Sequence, residues 1–468
     1  MMNCSGFDIA LKSVQNPSYE TTFFASVYMN NPIDSKHTQF MSGPFWHSIP
    51  GFAKVTEAEF MDTLWQLKNS ITSLKYLKEV VQDRVDEKFY LDVEKGLHQA
   101  PMAVRISPYV LSLMNWDQPY TDPLRKQFLP LASQQLPDHP ELHLDTLHEV
   151  DDSPVPGLTH RYSDKALFLA LDICPVYCRY CTRSYAVGTS TDIVEKVKFS
   201  QDAARYEQTF KYIREHPAIE DVVISGGDAY MLKAERLKLI GESLLNIPHV
   251  RRIRIATKGL AILPMKILSD TVWYDTLRNL VNYGRKLHKE VCVHTHFSHP
   301  HEMTYITEMA LDKMMEDGIT VRNQLVLQRG VNDNPDTMLR LNRQLGYLNV
   351  HPYYVYIHDL VQGVEDLRTT VQTGIDLEKY IRGSTAGFNT PTFVVDAPGG
   401  GGKRVVHSFE HYNRETGISV FSAPSVKPGQ LFLYFDPLQD LSPAIQKLWH
   451  DPKARAEMKA AALAAAKK

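Results

Sequence analysis

Three of the five cysteines fall within eight residues, in "CPVYCRYC", at Cys174, Cys178 and Cys181 with the spacing C-x3-C-x2-C. Thiolates are soft ligands suited to zinc or to iron–sulfur clusters. A structural zinc site closes with four protein ligands. The other two cysteines are poor candidates for a fourth, Cys4 lying in an N-terminal arm and Cys292 inside an expected strand. A cubane held by three thiolates leaves one iron open to a small molecule. A three-cysteine zinc site completed by a histidine, and chance clustering, are the competing readings.

A second concentration of chemistry is "VVDAPGGGGKRVV", where four glycines precede Lys403. A nucleotide-binding P-loop needs G-x-x-x-x-G-K-[ST]. Ala397 stands at the first glycine position and Arg404 follows the lysine, so that reading fails. Glycines let a backbone bend sharply and approach a flat ring closely. A desolvated lysine on such a loop can form a Schiff base with pyridoxal phosphate. A solvated lysine on a flexible surface loop fits the run equally well. "SGGD", at 225–228, is a third motif. It exposes backbone groups that could hold the amino end of a methionyl moiety, or it is an ordinary strand-to-helix turn.

These motifs need a scaffold, and the apolar pattern supplies one. Short runs recur at 166–173, 221–226, 252–257, 290–297, 321–328 and 352–357, separated by segments of helical periodicity. Six β/α units in succession predict a parallel sheet with both faces covered. Six units rather than eight predict an α/β fold built on a partial, TIM-like barrel. A seventh run follows at 391–398. The cysteines follow the first strand, "SGGD" ends the second, "HTHFSH" the fourth and "HD" the sixth. The chemistry therefore gathers at one rim of the sheet.

Upstream, Phe60, Leu64, Leu67, Ile71, Leu74 and Leu77 predict an amphipathic helix with a break near Asn69, after an irregular arm over 1–55. Helix is expected again within 85–115, and the proline-spaced stretch 136–164 reads as an extended connector crossing a surface. The tail "AEMKAAALAAAKK" predicts a fraying alanine-rich helix without chemistry. The divisions expected are 1–150, an N-terminal arm and helical region with connector; 151–405, the barrel; and 406–468, a C-terminal extension.

The chain has 51 basic and 54 acidic residues among 468, which makes nucleic acid an unexpected partner. No apolar run is long enough for a membrane span. The start lacks a secretory pattern and the cysteines do not form a disulfide framework, so a reducing, cytoplasmic setting is expected.

Taken together, "DSPVPGLTHRY", "CRYCTR", "ISGGD", "HTHF", "GVND", "PYYVY" and "PTFVVDAPGGGGK" resemble the lysine 2,3-aminomutases, over roughly residues 57 to 405. These are radical S-adenosylmethionine enzymes that also use pyridoxal phosphate. The resemblance implies a radical-SAM type partial (β/α)6 barrel and an isomerase that moves an amino group between adjacent carbons, interconverting L-lysine and L-β-lysine. It implies that Cys174, Cys178 and Cys181 bind a [4Fe–4S] cluster and that Ser225, Gly226, Gly227, Asp228 and, more weakly, His296 meet S-adenosylmethionine. Lys403 would bond pyridoxal phosphate, with Arg161 and Gln324 near its phosphate and Tyr162 beside its ring. Arg183 would clamp the substrate carboxylate, and Asp359 and Asp396 would hold its side-chain ammonium. Two carboxylates in one pocket repel unless a cation sits between them, which favours a cationic amino acid. Arginine, ornithine or a protein-bound lysine are alternative substrates for the same chemistry. The resemblance also implies an electron donor such as flavodoxin or ferredoxin, and a homo-oligomer.

Several positions depart from the family pattern. Lys165 stands where a phosphate-binding arginine is common, Ala229 replaces a proline or glycine, Ser184 a second arginine and Ser298 an asparagine. No cysteine follows Lys403, so no C-terminal structural zinc is expected. His294, His296, His299 and His301 read as surface or hydrogen-bonding histidines, and the tyrosines of "YYVY" as core.

Overall fold

A computed structural model describes residues 35–467. The first part of the expected arm, with Cys4, lies outside the described residues. One nine-stranded sheet runs in sequence order. Strand β1 (Leu158–Tyr162) lies antiparallel on β2 (Lys165–Leu171). Then follow β3 (Asp221–Gly226), β4 (Arg252–Ala256), β5 (Glu290–Thr295), β6 (Thr320–Val326), β7 (His351–Tyr356) and β8 (Thr392–Ala397), every pair from β2 to β8 parallel. Strand β9 (Gly402–Val405) closes the series antiparallel to β8.

Six helices make the crossovers: Ala203–Glu215, Ala234–Leu245, Thr271–Lys286, Tyr305–Glu316, Pro335–Tyr347 and Val371–Ile381. Their starts are written locally. Asp202, Asp270, Asn334 and Thr370 each accept a backbone N–H of the first turn through the side chain. Val222 and Ile224, Ile253 and Ile255, and Phe393 and Val395 are buried at alternate positions, which seats one face of each strand in the core, whereas the intervening residues of β4 and β6 stay partly exposed, so burial on both faces is not continuous. The result is the expected partial barrel. Its edges meet through a side chain, the Lys403 amide donating to the Tyr162 hydroxyl at 3.0 Å.

The N-terminal region departs from a helix with one break. It forms Glu57–Phe60, Thr63–Lys68 and Leu74–Val81. The break at Asn69 is present, and a second falls at Asp62, where the carboxylate caps the next helix by accepting from the Trp65 amide at 2.6 Å. Capping outweighs the apolar period here, and Leu64 is left 74% exposed. Helices Glu87–His98 and Pro108–Leu113 follow as expected.

The connector is not a surface strap. Its Leu142, Thr146, Leu147 and Glu149 are buried, and its end becomes β1. Its polar residues satisfy groups inside the barrel mouth, which is why a polar composition misled. The C-terminal extension folds as β10 (His411–Asn413), β11 (Ile418–Ser422) and β12 (Leu431–Phe435), followed by helices Pro443–His450 and Pro452–Ala465. The last helix is tied down along its first half. Asp451 caps it, and Arg455 and Lys459 reach Glu141 at 3.4 and 2.8 Å. No helix among the described residues is long and apolar enough to cross a membrane.

Candidate active site

The cysteine loop leaves β2 and is held from outside by the N-terminal region. The Tyr177 amide donates to Arg105 O and the Arg179 amide to Gln127 O, both at 2.9 Å. The Arg179 guanidinium pairs with Asp366 at 3.1 Å. Cys174, Cys178 and Cys181 are partly buried and form no disulfide. Their thiols act on one another electrostatically: that of Cys174 is pushed well up by burial, then by Asp228, Cys181 and Cys178. Burial pushes the Cys178 thiol up to about 12, against the opposing charge of Lys258. Cys292 is elsewhere, buried in β5 with its thiol 3.9 Å from Ile253 O.

"SGGD" packs tightly against the start of this loop. A Cβ on Gly226, whose φ is +123°, would fall 2.0 Å from Leu171 O, and one on Gly227 would fall 2.2 Å from Ile173 O. The glycines are thus required by close approach to β2. The Gly227 and Asp228 amides are already spent, donating to Leu171 O at 2.6 Å and Ile173 O at 2.9 Å. An amino end is held by acceptors, so the backbone groups that could meet it here are carbonyl oxygens rather than these amides. Ser225 is buried at the end of β3, and the Asp228 carboxylate accepts from the Tyr230 and Lys258 amides, both at 2.8 Å.

One residue past Cys181, the Thr182 hydroxyl donates to Asp359 Oδ2 at 2.6 Å. Asp359 follows β7 and Asp396 lies in β8. The Asp359 carboxyl is pushed up to about 7, by burial first and by the charge of Asp396 second. Oxygen Oδ1 of each aspartate is buried without a hydrogen-bond partner. Lys403 in β9 faces them, its Nζ 2.9 Å from Asp396 Oδ2. Burial alone would depress this ammonium, but Asp396, Tyr356 and Tyr162 hold it well above the ordinary lysine range. The Tyr162 and Tyr356 ring centroids lie 5.6 and 5.7 Å from Nζ. Thr182, next to Cys181, bonds Asp359, Asp359 and Asp396 act on each other electrostatically, and Asp396 bonds Lys403, which links the cysteine loop to the lysine.

Arg183 is held by a carboxylate that sequence reading missed. Its Nε and Nη2 donate to the two oxygens of Glu149, each at 2.8 Å, and the Tyr185 hydroxyl adds a third bond at 3.1 Å. Glu149 is nearly buried, so Glu149→Gln is expected to lower unfolding stability by about 1–3 kcal/mol. A shift in urea midpoint measures this, and an unchanged midpoint contradicts it. Arg161 donates from Nε to Asp152 Oδ2 at 2.7 Å and from Nη2 to Leu147 O. Gln324 Oε1 receives the Tyr356 hydroxyl at 3.4 Å. His296 lies further along, its Nε2 3.0 Å from the Tyr180 hydroxyl.

Of the histidines expected at the surface or in hydrogen bonds, His294 and His299 are buried in and after β5, and His299 Nδ1 accepts the His301 amide at 3.1 Å. The "YYVY" tyrosines are half-buried, and Tyr356 lines the site because alternation along β7 turns it inward beside Lys403. Glu149, Thr182 and Asp152 were missed because each acts through partners distant in sequence. A weak signal existed, since all three lie within or beside the quoted motifs.

A family profile described as Lysine-2,3-aminomutase matches residues 378–409, which include Asp396 and Lys403. The L-lysine 2,3-aminomutase of Clostridium subterminale is 40% identical over 357 residues, covering 76% of this chain and 80% of that protein. This chain belongs to the lysine 2,3-aminomutase family. The Bacillus subtilis L-lysine 2,3-aminomutase is 39% identical over 360 residues, covering 76% of this chain and 71% of that protein. The family's reach in substrate shows in the glutamate 2,3-aminomutase of Clostridioides difficile, 33% identical with coverage of 74% and 77%. Like those relatives, the chain is an aminomutase, hence an isomerase. Among solved structures, SuiB of Streptococcus suis bound to S-adenosylmethionine superposes with a TM-score of 0.36 at 10% identity, over 50% of each chain.

Proposed function

We propose that this enzyme interconverts L-lysine and L-β-lysine by moving the α-amino group to the β-carbon. The reading includes a [4Fe–4S] cluster on Cys174, Cys178 and Cys181, S-adenosylmethionine beside it, and pyridoxal phosphate on Lys403. A small one-electron donor such as flavodoxin or ferredoxin and a cytoplasmic setting belong to the same reading. When bound, these groups supply hydrogen-abstracting radical chemistry and a conjugated ring that spreads an unpaired electron during migration.

The residues present fit the groups. Three thiols that act on one another in one loop after β2 suit a cluster, in which each thiolate bonds a different iron. On the other side, a partly exposed lysine flanked by two tyrosines offers an amine and flat surfaces.

The observation that carries the substrate assignment is the carboxylate pair. Asp359 and Asp396 each keep one buried oxygen without a partner, and a cation already stands beside them. That cation is Lys403. Engaging its amine elsewhere vacates the place, and a substrate with a positive far end can fill it. Thr182 fixes Asp359 so that its free oxygen stays available. Arg183 presents a guanidinium oriented by Glu149, and no hydrogen bond among the described residues engages its Nη1, which is left for the substrate carboxylate. The side chains position and shield the substrate and its reacting atoms.

Anaerobic assay of the reconstituted enzyme with L-lysine, L-arginine, L-ornithine and L-glutamate tests the assignment. β-Lysine is the expected product. Robust product from another of these acids with none from lysine overturns it. The assay also has a pH signature. Asp359 takes up a proton as pH falls through about 7, losing the charge that holds an ammonium group. The KM for lysine is therefore expected to rise below that pH and to level off above it. A KM independent of pH from 6 to 8 contradicts the role of Asp359, the window being about one unit either side of that value.

A further inference from the structure

We infer that Lys427, delivered by the C-terminal extension, binds the phosphate of pyridoxal phosphate together with Arg161. The inference deepens the cofactor reading above and rests on it. Lys427 lies between β11 and β12, in a turn fixed by its own amide donating to Ala423 O at 2.9 Å. Its Nζ donates to Gly399 O at 3.1 Å and stands 4.0 Å from Asp152 Oδ1. The other oxygen of Asp152 receives Arg161 Nε at 2.7 Å. Two cations thus flank one carboxylate beside the glycine loop that leads to Lys403.

The loop is shaped around this pair. Gly400 has φ +85°, and a Cβ on it would fall 2.5 Å from Lys427 Nζ and 3.2 Å from Asp152 Oδ2. Two residues on, Gly402 packs so closely on Tyr162 that a Cβ would fall 2.5 Å from the hydroxyl. The same short loop therefore touches Lys427, Asp152 and Tyr162 before it reaches the amine of Lys403.

A second cation beside Arg161 strengthens binding of a phosphate dianion, and Lys165, where the family pattern has a phosphate-binding arginine, pairs with its neighbour Asp164 instead. Lys165 Nζ binds Asp164 at 2.7 Å and lies 4.7 Å from the centre of the Tyr162 ring, a third exposed. Lys427 is the cation in contact with the glycine loop, and Asp152 sets its distance from Arg161. A lysine serves as a point charge there, without needing the fork geometry of arginine.

The test compares pyridoxal 5′-phosphate with pyridoxal, which lacks the phosphate. The full chain is titrated with each, bound ligand is fixed to Lys403 by borohydride reduction, and occupancy is read by intact mass. Lys427→Met is expected to weaken half-saturation by pyridoxal 5′-phosphate by about tenfold or more and to leave pyridoxal unchanged. Lys427→Arg is expected to keep most of the affinity. Equal weakening toward both ligands means that Lys427 only pins the loop, and overturns the inference. Wild-type affinity in Lys427→Met also overturns it. A wild-type chain that fixes neither ligand overturns the cofactor reading, and the inference with it.

Discussion

Replacing Cys178 with alanine is expected to abolish iron uptake on anaerobic reconstitution and to cut β-lysine formation by more than about a hundredfold. Partly buried, Cys178 packs against the cluster of Tyr180, Val361, Val364 and Leu367, in a loop tied down by Arg105, Gln127 and Asp366. A loop so constrained cannot slide another residue into the vacancy. The remaining described thiol, Cys292, is locked within β5. Cys292→Ala is therefore the matched control and is expected to retain its iron. Iron content and turnover that survive Cys178→Ala would remove the three-thiol site from the account.

Lys403→Ala is expected to lower turnover by about a thousandfold or more, because it deletes the amine proposed to bond the cofactor. The neighbouring lysines are engaged elsewhere, Lys165 with Asp164 and Lys427 with Gly399 O. The variant should keep its iron, since the thiols are held by contacts independent of β9. Borohydride reduction followed by peptide mapping should place the pyridoxyl label on Lys403 in the wild type and on no lysine in the variant. A label on another lysine, or turnover within tenfold of wild type by the scale of covalent catalysis, contradicts the assignment.

Much of this architecture is written locally. The parallel strands follow from short apolar runs, some of them alternating with polar residues as in β4 and β6, and each of the seven expected runs overlaps a strand of the barrel. The cysteine triplet and Lys403 stand out because of what their side chains can do at that spacing. Interactions between distant segments are less legible. Glu149 is an unremarkable acid until folding brings Arg183 to it from 34 positions away. Thr182 gains its importance from Asp359, 177 positions on. The connector looked like a surface strap because polar residues that satisfy an active-site mouth have the same composition as polar residues that face water. The break at Asp62 escaped notice because one capping carboxylate overrode a good apolar period.

The central claim is that chemistry at the cysteine loop reaches a lysine held between Lys403, Asp359 and Asp396. Its most direct test is hydrogen transfer. L-Lysine deuterated at the β-carbon is incubated anaerobically with the reconstituted enzyme, a reductant and S-adenosylmethionine, and both the product and the recovered S-adenosylmethionine are analysed by mass spectrometry. Deuterium in the adenosyl group of S-adenosylmethionine, together with β-lysine labelled at its α-carbon, is the predicted result. β-Lysine formed with no deuterium in S-adenosylmethionine would contradict it.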